Sequence, residues 1–321
     1  MNDRVAVLGP GRIGRQIALA FALGGARVVL VDLKRRSVAD AERVLADARV
    51  EIGRDARLMV EEAVISAEDE ASALGRIEER VGLGDLRDCT FVQEALPESV
   101  ELKRDIFKQL AGRIGPDALV ASTSSTISPS HLADAVDGPE RFLIAHWLNP
   151  AHIIPLVEVV PGPQTASATV EATLTRLERL GKVPVRCNDS PGFIGPRMQV
   201  LLMNEAVRLV EEGVATPEDV DKAFRAGMGF RYASVGIFEF IDWGGVDILY
   251  RASRYMTEAV GERFKPARLV EQKMAYNELG PKTGRGFFDY SGDRRDTFET
   301  QKIRALLRRL KREREETGEP A

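Results

Sequence analysis

His146 and Glu158 stand twelve positions apart, at the two ends of the stretch HWLNPAHIIPLVE. The stretch reads as two short buried strands joined by a turn at Asn149-Pro150, with the second strand covering Ile153 to Val160. Taking a proton from an alcohol needs a base that titrates near neutral pH, and imidazole does so unaided. A carboxylate on the ring's other nitrogen would fix the tautomer and stabilise the imidazolium. The pairing therefore predicts His146 as a general base and Glu158 as its orienting partner. Taken alone, the two residues are explained a little better as a hydrogen-bonded core histidine and a strand-end glutamate. What favours chemistry is the set of elements that would bring other polar groups to the same edge.

The first of those elements opens the chain. Arg4 to Leu8 is a short apolar run, followed by GPGRIG (Gly9, Pro10, Gly11, Arg12, Ile13, Gly14) and then by IALAFALGG. The order is strand, glycine turn, helix. Gly9 allows a tight turn, Gly11 lets backbone approach a pyrophosphate, and Gly14 lets helix pack close to strand. Pro10, Arg12 and Ile13 fill the turn, and the helix N-terminus would face the phosphates with its positive end. A second strand, Arg27 to Val31, ends in Asp32, placed to accept hydrogen bonds from ribose hydroxyls. Its charge would meet a 2′-phosphate, which favours NAD over NADP as cofactor. Lys34, Arg35 and Arg36 follow directly. A strand before, a helix after and an acid at the right distance make this a dinucleotide site rather than a ligand-free glycine turn.

Ser37 to Leu74 is helical in pattern and longer than a Rossmann-type unit needs; it reads as a helical pair projecting from the domain, either a solvated arm or a lid. Strands are expected again at Arg76 to Val81, Thr90 to Gln93, Ala118 to Ala121 and Phe142 to Ala145. Glu94 sits at the carboxyl end of one of them, with Glu98 and Lys103 just beyond, and ligands of open parallel sheets bind at that edge. Pro97 and the acids after it also suit the first turn of a helix. Ser122 to Thr126, STSST, ends another strand; such hydroxyls cap helices more often than they bind substrate oxygens. Four strand ends thus place Gly9 to Gly14, Glu94 to Glu98, Ser125 and His146 along one rim.

After a strand at Val183 to Arg186, CNDSPGF reads as a junction, which predicts two domains, 1–188 and 189–321. The second half shows a long helix from about Ile194 to Glu212, a Thr216-Pro217-Glu218-Asp219 cap, and no strand pattern. Its apolar faces fit a homodimer interface. GPKTGRGFFDY needs a close-packed docking site, and the charged tail from Gln301 reads as a solvated helix that frays. The expected fold class is α/β: a Rossmann-type N-terminal domain with a helical insertion, then an all-α C-terminal domain. At 321 residues the chain suits two cores, and a net charge of -4 makes no case for a nucleic-acid or membrane partner. Two cysteines and three histidines show no metal-ligand spacing, so no metal is expected, and a reducing cytoplasm fits. MNDRVAVLG reads as a strand, not a leader, and the apolar runs are of strand length.

Taken together, GPGRIG with Asp32, EALPESVELK, STSST, HWLNP with Glu158, SPGFI at Ser190 to Ile194, and GPKTGRGFFDY resemble the NAD-dependent L-3-hydroxyacyl-CoA dehydrogenases over nearly the whole chain. The resemblance implies oxidation of a 3-hydroxyacyl substrate by a homodimer. It implies that His146 and Glu158 form the catalytic pair, that Ser125 contacts the substrate oxygen near the nicotinamide, and that Asn149 contacts nicotinamide or substrate. Glu98 and Lys103 match the family's cofactor-contacting pair. One position departs: where the family has an asparagine beside Arg197, this chain has Pro196, which has no side-chain donor. NPAHIIPLVEVVPGPQT is similar to the subgroup acting on small free hydroxy acids, such as L-gulonate 3-dehydrogenase (lambda-crystallin) and carnitine dehydrogenase, whereas the FFDY end is similar to the acyl-CoA enzymes. A dehydrogenase class with a lysine base early in the helical domain is disfavoured, because SPGFIGPRMQVLLMNEA has no lysine. A non-catalytic NAD-binding crystallin is the alternative of another kind. His131 and His152 follow helical and loop patterns and are expected to be non-catalytic.

Overall fold

The computed structural model describes residues 3–317, without the side chains of 294–296 and 317. Two compact units divide between Met203 and Asn204. The first is built on a sheet of β1 (Arg4–Leu8), β2 (Arg27–Asp32), β3 (Ile77–Val81), β4 (Phe91–Glu94), β5 (Leu119–Ser122), β6 (Phe142–Trp147), β7 (Leu156–Pro161) and β8 (Val183–Arg186). Their spatial order is β3-β2-β1-β4-β5-β6-β7-β8. The first six run parallel; β7 is antiparallel to β6, and β8 is parallel to β7. The chain builds outward from β1 through β2 to β3, then returns to place β4 on the other flank of β1. That reversal opens a crevice at the carboxyl ends of β1 and β4, where sheets of this kind bind ligands.

Side chains alternate across a strand, and a sheet buried on both faces needs apolar residues at every position. Along β1, Val5 and Val7 enter one core, and Ala6 and Leu8 enter the other. The first core gathers α1 (Arg12–Leu23) and α5 (Ser167–Arg179) through Ile17, Phe21, Val170 and Leu177; the second gathers α4 (Val100–Leu110) through Ile106, Phe107 and Leu110. The expected strands are therefore present, with His146 inside β6 rather than after it.

The helical pair is α2 (Val38–Glu61) and α3 (Ala67–Gly75), capped by Ser37 on the Asp40 N–H and by a reciprocal Ser66–Asp69 box. It does not project. Ala48, Ile52, Ala56 and Ala73 are buried in the same core as α1. The sequence pattern showed the charged face but not that these apolar residues, three of them alanines, let the pair lie flat on the domain.

The division between the units falls inside α6 (Gly195–Glu211). The second unit contains α7 (Pro217–Ala223), a π-helical turn at Phe224–Gly229, α8 (Phe230–Tyr232), α9 (Ile237–Gly244), α10 (Val246–Ala259), α11 (Arg268–Ala275) and α12 (Arg294–Thr317), with no strand among the described residues. The docking site for GPKTGRGFFDY is Asp242. Its buried carboxylate accepts the Phe287 and Phe288 N–H groups and the Tyr290 hydroxyl, at 2.9, 2.9 and 3.0 Å. A side chain on Gly286 would lie 2.3 Å from that carboxylate, and one on Gly280 would lie 2.2 Å from the Asp242 carbonyl, so both glycines are required by contact. Before the charged tail begins, Phe298 of α12 is buried edge-on against Tyr290, and inside the tail Lys302 pairs with Glu239. Among the described residues, no helix is long and apolar enough to cross a membrane.

Candidate active site

At the crevice, Gly9 adopts φ +112°, and a Cβ there would strike the Ala95 carbonyl at 2.7 Å. A Cβ on Gly14 would fall 1.9 Å from the Gly9 carbonyl, so α1 approaches the turn closer than any side chain allows. Gly11 is different: it has ordinary φ and nothing within 4 Å of a would-be Cβ. The fold does not need glycine there; an approaching ligand does. Pro10 and Ile13 are half-buried and Arg12 is exposed around this opening. As N-cap of α1, Gly11 gives no side-chain hydrogen bond to the first-turn N–H groups, which leaves them for an anion. At the end of β2, Asp32 is buried, with Oδ1 accepting the Lys34 N–H. Its Oδ2 is buried and accepts no hydrogen bond, although Arg36 Nε lies 3.0 Å away. An uncapped helix start, an open glycine and a carboxylate at the end of β2 fit the pyrophosphate and ribose of NAD.

Glu94, Glu98 and Lys103 divide into two tasks. Glu94 and Lys103 have no exposed surface and form an ion pair, with Lys103 Nζ at 2.8 and 2.9 Å from the two carboxylate oxygens. The Leu96 N–H and the Ser122 hydroxyl complete the carboxylate's shell. Both residues were expected among the cofactor contacts. In the structure their side chains are fully buried and brace the ends of β4 and β5. Removing one partner of such a pair strands a buried charge, typically at a cost of about 3–5 kcal/mol.

Glu98 reaches outward and organises the STSST loop. Its Oε1 accepts the Ser124 hydroxyl at 2.5 Å, the Ser125 and Thr126 N–H groups at 3.1 and 2.9 Å, and the Thr126 hydroxyl at 2.8 Å. Burial works against its charge, but the Ser124 and Thr126 hydrogen bonds and the nearby Lys103 ammonium outweigh it and hold the carboxyl down at about 2, against an ordinary 4.5. A depressed carboxyl contributes stability that is complete above its ordinary pKa and lost as pH falls through the folded value. The thermal midpoint of Glu98→Gln should therefore lie below wild type at neutral pH. The gap should close between pH 4.5 and about 2. Equal midpoints at neutral pH would show that the loop does not depend on this charge.

Ser125, whose backbone Glu98 fixes, is half-buried at the same edge. The loop is tied to β6 by the Trp147 N–H, which donates to Thr123 Oγ1 at 3.3 Å.

His146 on β6 lies directly across from Glu158 on β7 in the antiparallel register. The Nδ1 to Oε2 distance is 2.8 Å. Glu158 is fully buried, whereas the imidazole keeps 9% of its side-chain surface. The other carboxylate oxygen accepts the Ile194 and Gly195 N–H groups, both at 2.8 Å, from the start of α6. Burial raises the Glu158 pKa, but hydrogen bonds from His146, Gly195 and Ile194 win and keep it below the ordinary 4.5. An ionised carboxylate only accepts, so the imidazole proton sits on Nδ1 and Nε2 presents its lone pair. The SPGFI motif explains the geometry: Phe193 takes φ +43°, turning Ile194 and Gly195 toward Glu158, and its ring packs 5.8 Å from the imidazole. A bulky residue with positive φ costs about 1–3 kcal/mol, a strain that clusters at functional sites. Pro196 then occupies the first turn of α6, where a missing N–H costs nothing.

Asn149 is exposed on the turn after β6. Of the other histidines, His131 is exposed at the end of a 3₁₀ turn, and His152 is half-buried in the turn between β6 and β7. Sequence reasoning missed the Ile194 and Gly195 N–H groups, which are backbone. It also missed Gln16 and Lys182, whose polarity inside apolar segments was the available signal.

Family models agree with this architecture. The model for the 3-hydroxyacyl-CoA dehydrogenase NAD binding domain matches residues 4–190, and that for the C-terminal domain matches residues 192–290. The chain is 33% identical over 312 residues to a 5-formyl-3-hydroxy-2-methylpyridine 4-carboxylate 5-dehydrogenase of Mesorhizobium japonicum, covering 96% of this chain and 97% of that one. It is 36% identical over 290 residues to a 3-hydroxybutyryl-CoA dehydrogenase of Bradyrhizobium diazoefficiens, covering 90% and 96%. The crystal structure of a 3-hydroxyacyl-CoA dehydrogenase from Archaeoglobus fulgidus matches with a TM-score of 0.76 at 31% identity, covering 99% of this chain and 100% of that one. With the glycine turn, Asp32 and the His146–Glu158 pair in place, the chain belongs to the 3-hydroxyacyl-CoA dehydrogenase family and is an NAD-dependent oxidoreductase acting on a CH–OH group.

Proposed function

We propose that the chain oxidises a short (S)-3-hydroxyacyl-CoA, such as 3-hydroxybutyryl-CoA, reversibly to its 3-keto product. The observation that carries this reading is the 2.8 Å contact between His146 Nδ1 and a buried, ionised Glu158. Nε2 of His146 takes the proton of the 3-hydroxyl. Glu158 holds the ring in that tautomer and stabilises the imidazolium as it forms. Ser125 hydrogen-bonds the substrate oxygen, and Asn149 orients the nicotinamide or the substrate carbonyl. When bound, NAD supplies the acceptor for the C3 hydride; Gly9 to Gly14 and Asp32 hold its pyrophosphate and ribose.

The intact SPGFI and GPKTGRGFFDY segments and the relative named 3-hydroxybutyryl-CoA dehydrogenase support the acyl-CoA substrate. A small free acid is the second reading, favoured by the near full-length relative named for a pyridine carboxylate. Rates with NAD on 3-hydroxybutyryl-CoA, free 3-hydroxybutyrate, L-gulonate and carnitine separate them. The thioester should lead by at least about tenfold in kcat/KM, equivalent to roughly 1.4 kcal/mol of transition-state binding. A free acid in the lead would overturn the acyl-CoA assignment. No turnover on any of the four, with NADH still bound, would favour a non-catalytic NAD-binding protein.

A further inference from the structure

Lys182 is a buried cation that the proton transfer does not use. It precedes β8, is 8% exposed, and spends all three ammonium protons on one turn: the carbonyls of Ala151, His152 and Ile154 at 2.8, 3.2 and 3.0 Å. The ammonium also lies 5.6 Å from the Trp147 ring centroid. The same turn is gripped a second time. Gln16, buried in α1, accepts the Ala151 N–H through its side-chain oxygen at 2.8 Å. Ala151 is fully buried, and its peptide donor and its carbonyl are each taken by a buried side chain. Pro150 O closes the turn by accepting the Ile153 and Ile154 N–H groups.

This turn carries Asn149 and joins the strands bearing His146 and Glu158. Burying an ammonium is unfavourable: desolvation pushes Lys182 down to about 8 from 10.5. A neutral group could serve a turn whose only need was stability. A charge shared among three carbonyls fixes where the turn sits. Gln16 lies in the helix whose N-terminus holds the dinucleotide, so one turn is referenced both to the cofactor helix and to the edge of the sheet.

We propose that Lys182 and Gln16 are positioning residues that act through the 149–154 turn to set Asn149 relative to His146. The inference rests on the role given to Asn149 under Proposed function. The experiment uses the full-length enzyme with NAD and the fastest-turned of the four alcohols compared above. Lys182→Met, Gln16→Leu and Asn149→Ala are made singly, and the first two are each combined with Asn149→Ala. A displacement of about 1 Å can cost on the order of a hundredfold in rate. Lys182→Met should lower kcat by roughly ten- to a hundredfold, with NADH affinity by fluorescence within about twofold. Lys182→Arg should recover part of the loss. Because the residues act through Asn149, the double variants should be no slower than the slower single variant.

Wild-type kcat in Lys182→Met, even with a lowered thermal midpoint, would reduce Lys182 to a structural role and overturn the proposal. So would losses that multiply in the double variants. If Lys182→Met fails to fold, Gln16→Leu tests the same turn without disturbing a charge. Asn149→Ala with unchanged kcat and KM would overturn the role of Asn149 itself; an impaired Asn149→Ala beside an unimpaired Lys182→Met would overturn only the positioning role.

Discussion

His146→Gln should lower kcat by about 10²- to 10⁴-fold, the range set by a positioned general base. Glutamine keeps a polar side chain near Glu158 but has no lone pair that can take a proton near neutral pH. NADH affinity should stay within about twofold, because the dinucleotide contacts proposed above lie on the Gly9 to Gly14 turn and Asp32, on β1, α1 and β2. The fold should also persist, because the glutamine amide can still donate to Glu158 where His146 Nδ1 does now. Stopped-flow NADH formation beside a fluorescence titration of NADH checks both halves. Near-wild-type turnover would remove His146 from the chemistry.

Glu158→Gln should be nearly as damaging, for a less obvious reason. The substitution is isosteric, and a glutamine oxygen can still accept the Ile194 and Gly195 N–H groups that Glu158 accepts at 2.8 Å. Its amide must then donate toward His146 Nδ1. That moves the imidazole proton to Nε2 and blocks the atom that takes the substrate proton. The stabilisation of the imidazolium is lost as well. The two effects together should cost on the order of 10²- to 10⁴-fold in kcat, about 3–5 kcal/mol of barrier. KM should change far less, since Glu158 is fully buried. A Glu158→Gln enzyme within about threefold of wild-type kcat would mean that the carboxylate serves only to cap α6.

Much of the first unit was legible because its signals are local. Glycines at 9, 11 and 14 between an apolar strand and an apolar helix specify a turn by backbone sterics, and Asp32 marks the end of the next strand. His146 and Glu158 face each other because β6 and β7 form an antiparallel pair across a short turn, and their spacing reflects that register.

What escaped depends on contacts between segments distant in sequence. Glu94 and Lys103 carry charges at a sheet edge, and nothing in their spacing announced that they pair with each other at 2.8 Å inside the domain. Ala48, Ala56 and Ala73 are small enough to lay α2 and α3 on α1, with Ile52 filling the core beside them, but a charge pattern records only the outer face. Ile194 and Gly195 act through N–H groups that carry no residue identity, aimed by a positive φ at Phe193, a bulky residue that no propensity assigns to such a turn. Lys182 met no partner in sequence because its partners are three carbonyls about thirty residues away.

The most direct test of the account is the protonation pattern of the His146 ring, read from ¹⁵N-edited NMR of the NAD complex at neutral pH in the wild-type and Glu158→Gln enzymes. The account predicts the proton on Nδ1 and a bare Nε2 in wild type, reversed in the variant. A wild-type ring carrying its proton on Nε2 would contradict it, because the atom assigned to accept the substrate proton would already be occupied.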